Sequence, residues 1–260
     1  MPVVSTPQGP LYYALCRAPQ ERCRRAPERP PIVLIHGAGG DHLLWPAALR
    51  RAADRRVYAL DLPGHGRAGG LACRTVEENA QAVAGFLRAE GVGPAVLVGH
   101  SMGGAVGLAV ALGDPGCVAA LVLIASAAQL PASAALLARL ERDFEGALEL
   151  IARTAWAPGA PAALVERGRQ ALCAAGPQTL LADLRACQRF DVGGRLAEIR
   201  VPCLVVAGEA DRIVPLDASA RLAAGLAHSR FTVISGGGHM LSLEQPEQVA
   251  AAVRAFVSEL

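Results

Sequence analysis

Three side chains in this sequence have the types and positions of a nucleophilic relay: Ser101, Asp211 and His239. A serine hydroxyl attacks a carbonyl poorly unless a base takes its proton, and an imidazole base needs an anion to orient it. Ser101 lies within Gly99-His100-Ser101-Met102-Gly103-Gly104, after the apolar run 95–98 and before the apolar stretch 105–112. This is G-x-S-x-G in strand–turn–helix context. The turn is so tight that the positions two residues either side of the serine, Gly99 and Gly103, must lack side chains, and the next helix directs its N-terminus at developing negative charge. Asp211 follows the run 203–207 and His239 follows 231–234. Each of the three stands just past the C-terminal end of an expected strand, where parallel sheets present their sites. The pentapeptide alone is weak, since a Gly-rich turn before a buried helix looks the same. Three strand ends carrying Ser, Asp and His in that order are a far rarer coincidence.

The elements that must position them can be read from short apolar runs at 32–35, 57–60, 95–98, 119–124, 203–207 and 231–234, each closed by Gly, Pro or Asp. Apolar runs without alternation are what a parallel sheet covered on both faces requires. Residues 3–4 and 11–15 flank Gly9-Pro10 and predict an antiparallel edge hairpin. Thr75-Val76-Glu77-Glu78 is a capping box, followed by Val76, Ala80, Val83, Ala84 and Leu87 at helical spacing. Pro246 stands at a first helical position ahead of Val249, Ala252, Val253 and Phe256. The alternation predicts an α/β fold with a doubly wound, mostly parallel sheet. It stops between about 127 and 200. There Leu137, Leu140, Phe144, Leu148 and Ile151 form one helical stripe, Pro158-Gly159-Ala160-Pro161 reads as a turn, and 164–172 and 180–187 read as two more helices. The expected organisation is a core of residues 1–126 and 201–260, with a helical cap, 127–200, inserted between core strands.

His36-Gly37-Ala38-Gly39-Gly40, Asp61-Leu62-Pro63-Gly64-His65-Gly66, the serine turn, Gly208-Glu209-Ala210-Asp211 and Gly238-His239 match in order the landmarks of the α/β-hydrolase superfamily. The chain resembles that superfamily over most of its length, with the cap as the divergent part. It is most similar to small bacterial carboxylesterases and lactonases, including enol-lactone hydrolases and acyl-carrier methyl esterases. The resemblance implies Ser101 as nucleophile, His239 as general base and acid, and Asp211 as the orienting carboxylate. It also implies an oxyanion hole made by the backbone amides of Ala38 and Met102. The implied reaction is cleavage of a carboxylic ester, lactone or thioester in a small acyl substrate, free or carrier-linked. No metal and no organic cofactor is implied.

Nearby residues have plainer readings. His100 cannot reach round to act as the base and is read as a packing or supporting residue. His36 belongs to the turn that positions the Ala38 amide. Asp61 and His65 are expected to stabilise the loop after the second parallel strand. Glu209 is a weaker stand-in for Asp211, Asp217 lies too far along, and Ser126 ends a strand where some relatives carry their acid. Leu43, Leu44, Trp45, Met102, Ile213 and Met240, with Phe144, Trp156 and Phe190 from the cap, are candidates to line an apolar pocket, each equally readable as core. Arg185 and Arg189, one turn apart, read as a solvated helix face.

Composition narrows the field. The chain has 260 residues, 52% hydrophobic and 18% charged, so one large folded domain is expected. A net charge of +2 gives no phosphate-tracking surface, so nucleic acid is not an expected partner. Every one of the 25 basic residues is Arg, which excludes lysine Schiff-base chemistry. The seven cysteines are odd in number and irregular in spacing, with no CxxC, which fits a reducing cytoplasm better than a disulfide framework or zinc site. Residues 1–16 lack the basic region of a secretory signal. The nearly uncharged region 95–138 is interrupted by Gly, Pro and Asp, and is expected as strand, helix and strand, not as a membrane span.

Other activities share the same residues. A carbon–carbon bond hydrolase of this resemblance tends to carry Trp after the catalytic histidine, where this chain has Met240. A cofactor-free haloperoxidase-like enzyme often carries an aromatic residue at the position of Ala38. An acyltransferase differs only in the acceptor of the acyl group. A ligand-binding receptor on a hydrolase scaffold can retain the same three side chains.

Overall fold

The computed structural model describes residues 2–16, 29–51 and 55–260. Strands β1 (Val3–Thr6) and β2 (Gly9–Cys16) form the expected hairpin, with Val4 opposite Leu11. They lead into β3 (Ile32–Ile35), β4 (Val57–Asp61), β5 (Ala95–His100), β6 (Val118–Ile124), β7 (Cys203–Gly208) and β8 (Ser229–Ile234). The described residues make one sheet in the order β1-β2-β4-β3-β5-β6-β7-β8. The pairings made by β2 are antiparallel and the rest are parallel.

The continuous apolar runs have a simple cause. Successive side chains of a strand point to opposite faces. Val33, Ile35 and Leu97 feed one core, covered by α1 (Val76–Ala89), α2 (Met102–Gly113) and later α6 (Leu216–Gly225). Ile32, Leu34, Val96 and Val98 feed the other, covered by Trp45, Leu49 and the inner face of α7 (Pro246–Val257). Strand β8 departs from this pattern. It is the sheet edge, and Phe231 and Val233 are exposed there, so its apolar run does not mean burial on both faces. The α1 cap also differs in detail. The Thr75 hydroxyl accepts from the Glu78 amide, but the Glu78 carboxylate reaches one residue further back, to the Arg74 amide.

Between β6 and β7 the chain makes a helical excursion of α3 (Ala134–Arg142), α4 (Phe144–Thr154) and α5 (Ala162–Arg189). The apolar stripe 137–151, read as one helix, is split at Asp143. That residue leaves helical geometry at φ −148°, ψ 80°, and its carboxylate accepts the Gly146 amide at 2.9 Å to begin α4. Helix α5 bends at Gly176, φ +80°, just before Pro177, which separates the two helices expected there. Among the described residues, no helix is long and apolar enough to cross a membrane. Residues 95–138 resolve into β5, α2, β6 and the start of α3. The cysteines among the described residues are free thiols, and Cys23 lies outside them.

Candidate active site

Strand β5 ends at His100 and α2 begins at Met102, so one residue must reverse the chain. Ser101 does so at φ +53°, ψ −116°. A non-glycine residue held there stores about 1–3 kcal/mol of backbone strain, tolerated only where the surroundings enforce it. The flanking glycines are what make the turn sterically possible. A Cβ on Gly99 would lie 2.2 Å from the Gly103 carbonyl oxygen, and one on Gly103 only 2.0 Å from the Ile35 carbonyl oxygen. Both obstacles are backbone and cannot swing aside. Gly103→Ala is therefore expected to cost about 3 kcal/mol, a fall in Tm of roughly 6–12 °C for a chain of this size. A thermal melt with an unshifted midpoint would contradict this reading of the turn.

The loops after β7 and β8 bring the other two side chains to the serine. His239 Nε2 lies 3.0 Å from Ser101 Oγ, and His239 Nδ1 lies 2.9 Å from Asp211 Oδ2. The other Asp211 oxygen accepts the Ile213 and Val214 amides, both at 2.8 Å. Asp211 and His239 are both buried. Since a carboxylate can only accept, His239 carries its proton on Nδ1 and offers the Nε2 lone pair to the Ser101 hydroxyl.

The supporting residues take defined parts. His100 Nε2 donates to the His239 carbonyl at 2.8 Å, fixing that backbone. Burial, and after it the neighbouring His239 ring, pulls the His100 pKa down to about 4. His36 is likewise held down to about 4, first by burial and then by His65. It donates through Nδ1 to the Gly37 carbonyl at 2.8 Å and accepts the Leu62 amide on Nε2 at 3.1 Å. Ser126 donates to the Ser101 carbonyl at 2.9 Å, bracing the turn. Asp61 accepts the amides of His42 and Arg67. Burial alone would raise its pKa, but hydrogen bonds from His42 and these amides bring the net shift downward. His65 does not work within that loop alone; it reaches across to Asp183 of α5 at 2.8 Å. Glu209 is turned away to Ser235 and Gly236, and Asp217 pairs with Arg221. Arg185 pairs with Glu141 on the surface.

Ala38 lies in the turn Gly37–Gly40, closed by the Gly40 amide on the Gly37 carbonyl at 3.0 Å. The Ala38 and Met102 amides have no hydrogen-bond partner among the described residues. Ser101 and His239 open into a cavity of about 360 Å³. Of the pocket candidates, Leu44, Trp156, Ile213 and Met240 line it. Five do not. Leu43 points to solvent at 48% exposure and Leu44 takes the wall position instead. Trp45 sits behind the site in the core under β3, Met102 and Phe190 are buried in the opposite core, and Phe144 packs inside the helical excursion. The remaining wall includes Ile151 of the apolar stripe and residues not singled out in the sequence, among them Leu130, Leu136, Leu172 and Leu184. Helical spacing marks an apolar face at Leu136, Ile151, Leu172 and Leu184 but cannot distinguish a cavity wall from core, and Leu130 lies outside the helices. Among the described residues, no three His, Cys, Asp or Glu side chains converge as metal ligands would.

A mostly parallel eight-stranded sheet with Ser, Asp and His at three strand ends defines an α/β hydrolase fold. Residues 32–252 match the model of the Alpha/beta hydrolase family, and the chain belongs to that family. It is 31% identical over 249 residues to a putative carbamate hydrolase of Azorhizobium caulinodans, covering 88% of this chain and 92% of that one. It is 33% identical over 248 residues to a pimeloyl-acyl-carrier-protein methyl ester esterase of Methylococcus capsulatus, covering 88% and 95%. Among solved structures, it resembles a thermophilic esterase from Thermogutta terrifontis with a TM-score of 0.85 at 26% identity, covering 99% and 97% of the two chains.

Proposed function

We propose that this protein is a serine hydrolase that cleaves a carboxylic ester or thioester, lactones included, through an acyl-enzyme on Ser101. The observation that carries this is the continuous row Ser101 Oγ, His239 Nε2 and Nδ1, Asp211 Oδ2, with links of 3.0 and 2.9 Å. The chain is an α/β hydrolase acting on ester-type bonds, as named esterases among its relatives support. In the proposed mechanism, Ser101 Oγ attacks the acyl carbon as its proton passes to His239 Nε2. Asp211 stabilises the imidazolium that results. The Ala38 and Met102 amides receive the oxyanion, and losing one such donor raises the barrier by about 3–4 kcal/mol. Collapse breaks the bond to the leaving oxygen or sulfur, which takes the proton from His239. Water, deprotonated by His239, then attacks the acyl-enzyme and returns Ser101.

Residues 127–200 act as a cap over the cavity, its apolar wall seating a small or medium acyl chain. Arg169 is already paired with Glu166 and Glu145, whereas Arg212, held by the Arg153 and Trp156 carbonyls, lines the cavity with no salt bridge among the described residues, which favours a neutral or anionic acyl group. The methyl ester esterase relative supports a carrier-linked substrate as one member of this class. The free thiols fit a cytoplasmic setting.

The direct test is labelling with a fluorophosphonate, whose phosphorus is attacked by an activated serine with loss of fluoride. Peptide mass spectrometry is expected to find one adduct, on Ser101, and none in Ser101→Ala. An intact protein that takes no label would refute the mechanism and leave a binding role on this scaffold.

A further inference from the structure

Resting on the reading of Ala38 as an oxyanion donor, we infer that Asp183, on α5 of the helical excursion, is a positioning residue for that donor. Its side chain is fully buried. One oxygen, Oδ2, accepts the Gly39 amide at 2.8 Å and faces His65 Nε2 at 2.8 Å. The other, Oδ1, is buried with no partner. A half-satisfied buried carboxylate is costly to hold, so its placement calls for a purpose beyond packing.

The purpose follows from the turn it touches. Gly39 has φ +63°, Ala38 is not among the positive-φ residues, and Gly40 bonds back to Gly37. That is a type II turn, and it differs from type I by a flip of the Ala38–Gly39 peptide. In the observed form the Gly39 N–H points at Asp183. In the flipped form the Ala38 carbonyl would turn toward a carboxylate and be repelled. That flip would leave the Gly37–Ala38 peptide, which carries the donor, unturned; what reaches the donor is the position of the Ala38 Cα, pinned by Asp183 through Gly39 on one side and by the Gly40–Gly37 closure on the other. The Ala38 methyl packs on the apolar cluster of Leu140, Leu148 and Leu180, so the same excursion seats both ends of the residue.

His65 anchors the carboxylate from the core side. Its Nδ1 faces the Pro63 carbonyl at 3.0 Å and its Nε2 faces Asp183, so both ring nitrogens meet acceptors and both carry protons. Burial works against that charge, and Asp183, the Pro63 carbonyl and Asp61 overcome it, leaving the His65 pKa raised. A buried ion pair between the core and the helical excursion therefore holds the oxyanion turn. The donor is aligned only when α5 is seated.

The test compares Asp183→Ala and Asp183→Asn with wild type on p-nitrophenyl butyrate, with rates per Ser101 titrated by fluorophosphonate. Loss of a full oxyanion donor costs about 10²–10³ in kcat, so a loosened one is expected to cost roughly 10–100-fold in Asp183→Ala. KM should stay within about threefold, since substrate binds before the oxyanion forms. Affinity for butylboronic acid, whose tetrahedral serine adduct occupies the hole, should fall in parallel with kcat. Asp183→Asn keeps an acceptor for Gly39 and should recover most of the loss. If Asp183→Ala does not fold, His65→Leu with Asp183→Leu replaces the ion pair by apolar bulk and carries the same expectation. Unchanged kcat and boronate affinity per titrated site, with only a lower Tm, would reduce Asp183 to a fold contact and overturn the inference. Equal losses in the Ala and Asn variants would overturn it too. A wild type that neither labels nor hydrolyses esters would instead refute the reading of the site.

Discussion

Replacing Ser101 by Ala is expected to lower kcat on a p-nitrophenyl ester by about 10⁵–10⁶-fold, the scale of losing the nucleophile of a serine relay. A residual rate above that of water should persist, because the donors opposite Ser101 do not depend on its hydroxyl. KM should barely move. The fold should survive, for a specific reason. The Ser101 side chain does not cap α2, so its hydroxyl is not holding the turn together. Alanine has the same Cβ at the same φ of +53° and neither adds nor relieves strain. Ser101→Gly is informative beside it: glycine adopts this conformation freely, and about 1 kcal/mol of stability should be gained as activity disappears. Steady-state rates and thermal melts on the three proteins check both halves. Ester turnover within tenfold of wild type in Ser101→Ala would remove Ser101 from the chemistry.

The row of Ser101, His239 and Asp211 was legible in the sequence because each member is tied to a local signal. An apolar run sets a strand, glycines set the turn beyond it, and a reactive side chain follows. The same logic found β3 to β7 and the capped helix α1. It was less informative where the outcome depends on a partner distant in sequence. Strand β8 has the apolar run of a central strand, but nothing local says that no strand pairs beyond it. The break between α3 and α4 turns on one residue, Asp143, whose carboxylate is as consistent with a helix surface as with a cap. Helix α6 leaves little signal in the sequence although Pro215 precedes it and Leu222 faces the core, because its apolar stripe is short.

The same distinction separates the proposed catalytic row from its supports. Asp183 is one acidic residue on an otherwise ordinary helix, and its partners Gly39 and His65 lie 144 and 118 residues away. No spacing rule links them. Leu43 and Leu44 make the point at single-residue scale: the two are equivalent by type, and only the local helical turn decides which reaches the cavity and which meets solvent. Chemistry at strand ends is thus readable from the chain itself, whereas the walls and braces of the site are decided by how the helical excursion packs on the sheet.

Asp211→Asn is expected to lower kcat by about 10⁴-fold with little change in fold, through the tautomer of His239. The geometry dictates the direction. Asp211 Oδ1 accepts two backbone amides, Ile213 and Val214, each at 2.8 Å. In the variant the asparagine oxygen must face those donors, because its NH₂ cannot accept from them. The NH₂ group is then forced toward His239 Nδ1, which must accept. The imidazole proton moves to Nε2 and meets Ser101 with a donor where a lone pair is needed. Neither neighbouring acid can take over: Glu209 is committed to Ser235 and Gly236, and Asp217 to Arg221, both on the surface. Adding Glu209→Gln to Asp211→Asn should therefore cost nothing further. Nitrogen-15 NMR of the histidine side chains is expected to show the His239 proton on Nδ1 in wild type and on Nε2 in the variant. An Asp211→Asn enzyme within tenfold of wild type, or one whose His239 keeps its proton on Nδ1, would mean that another group orients the base.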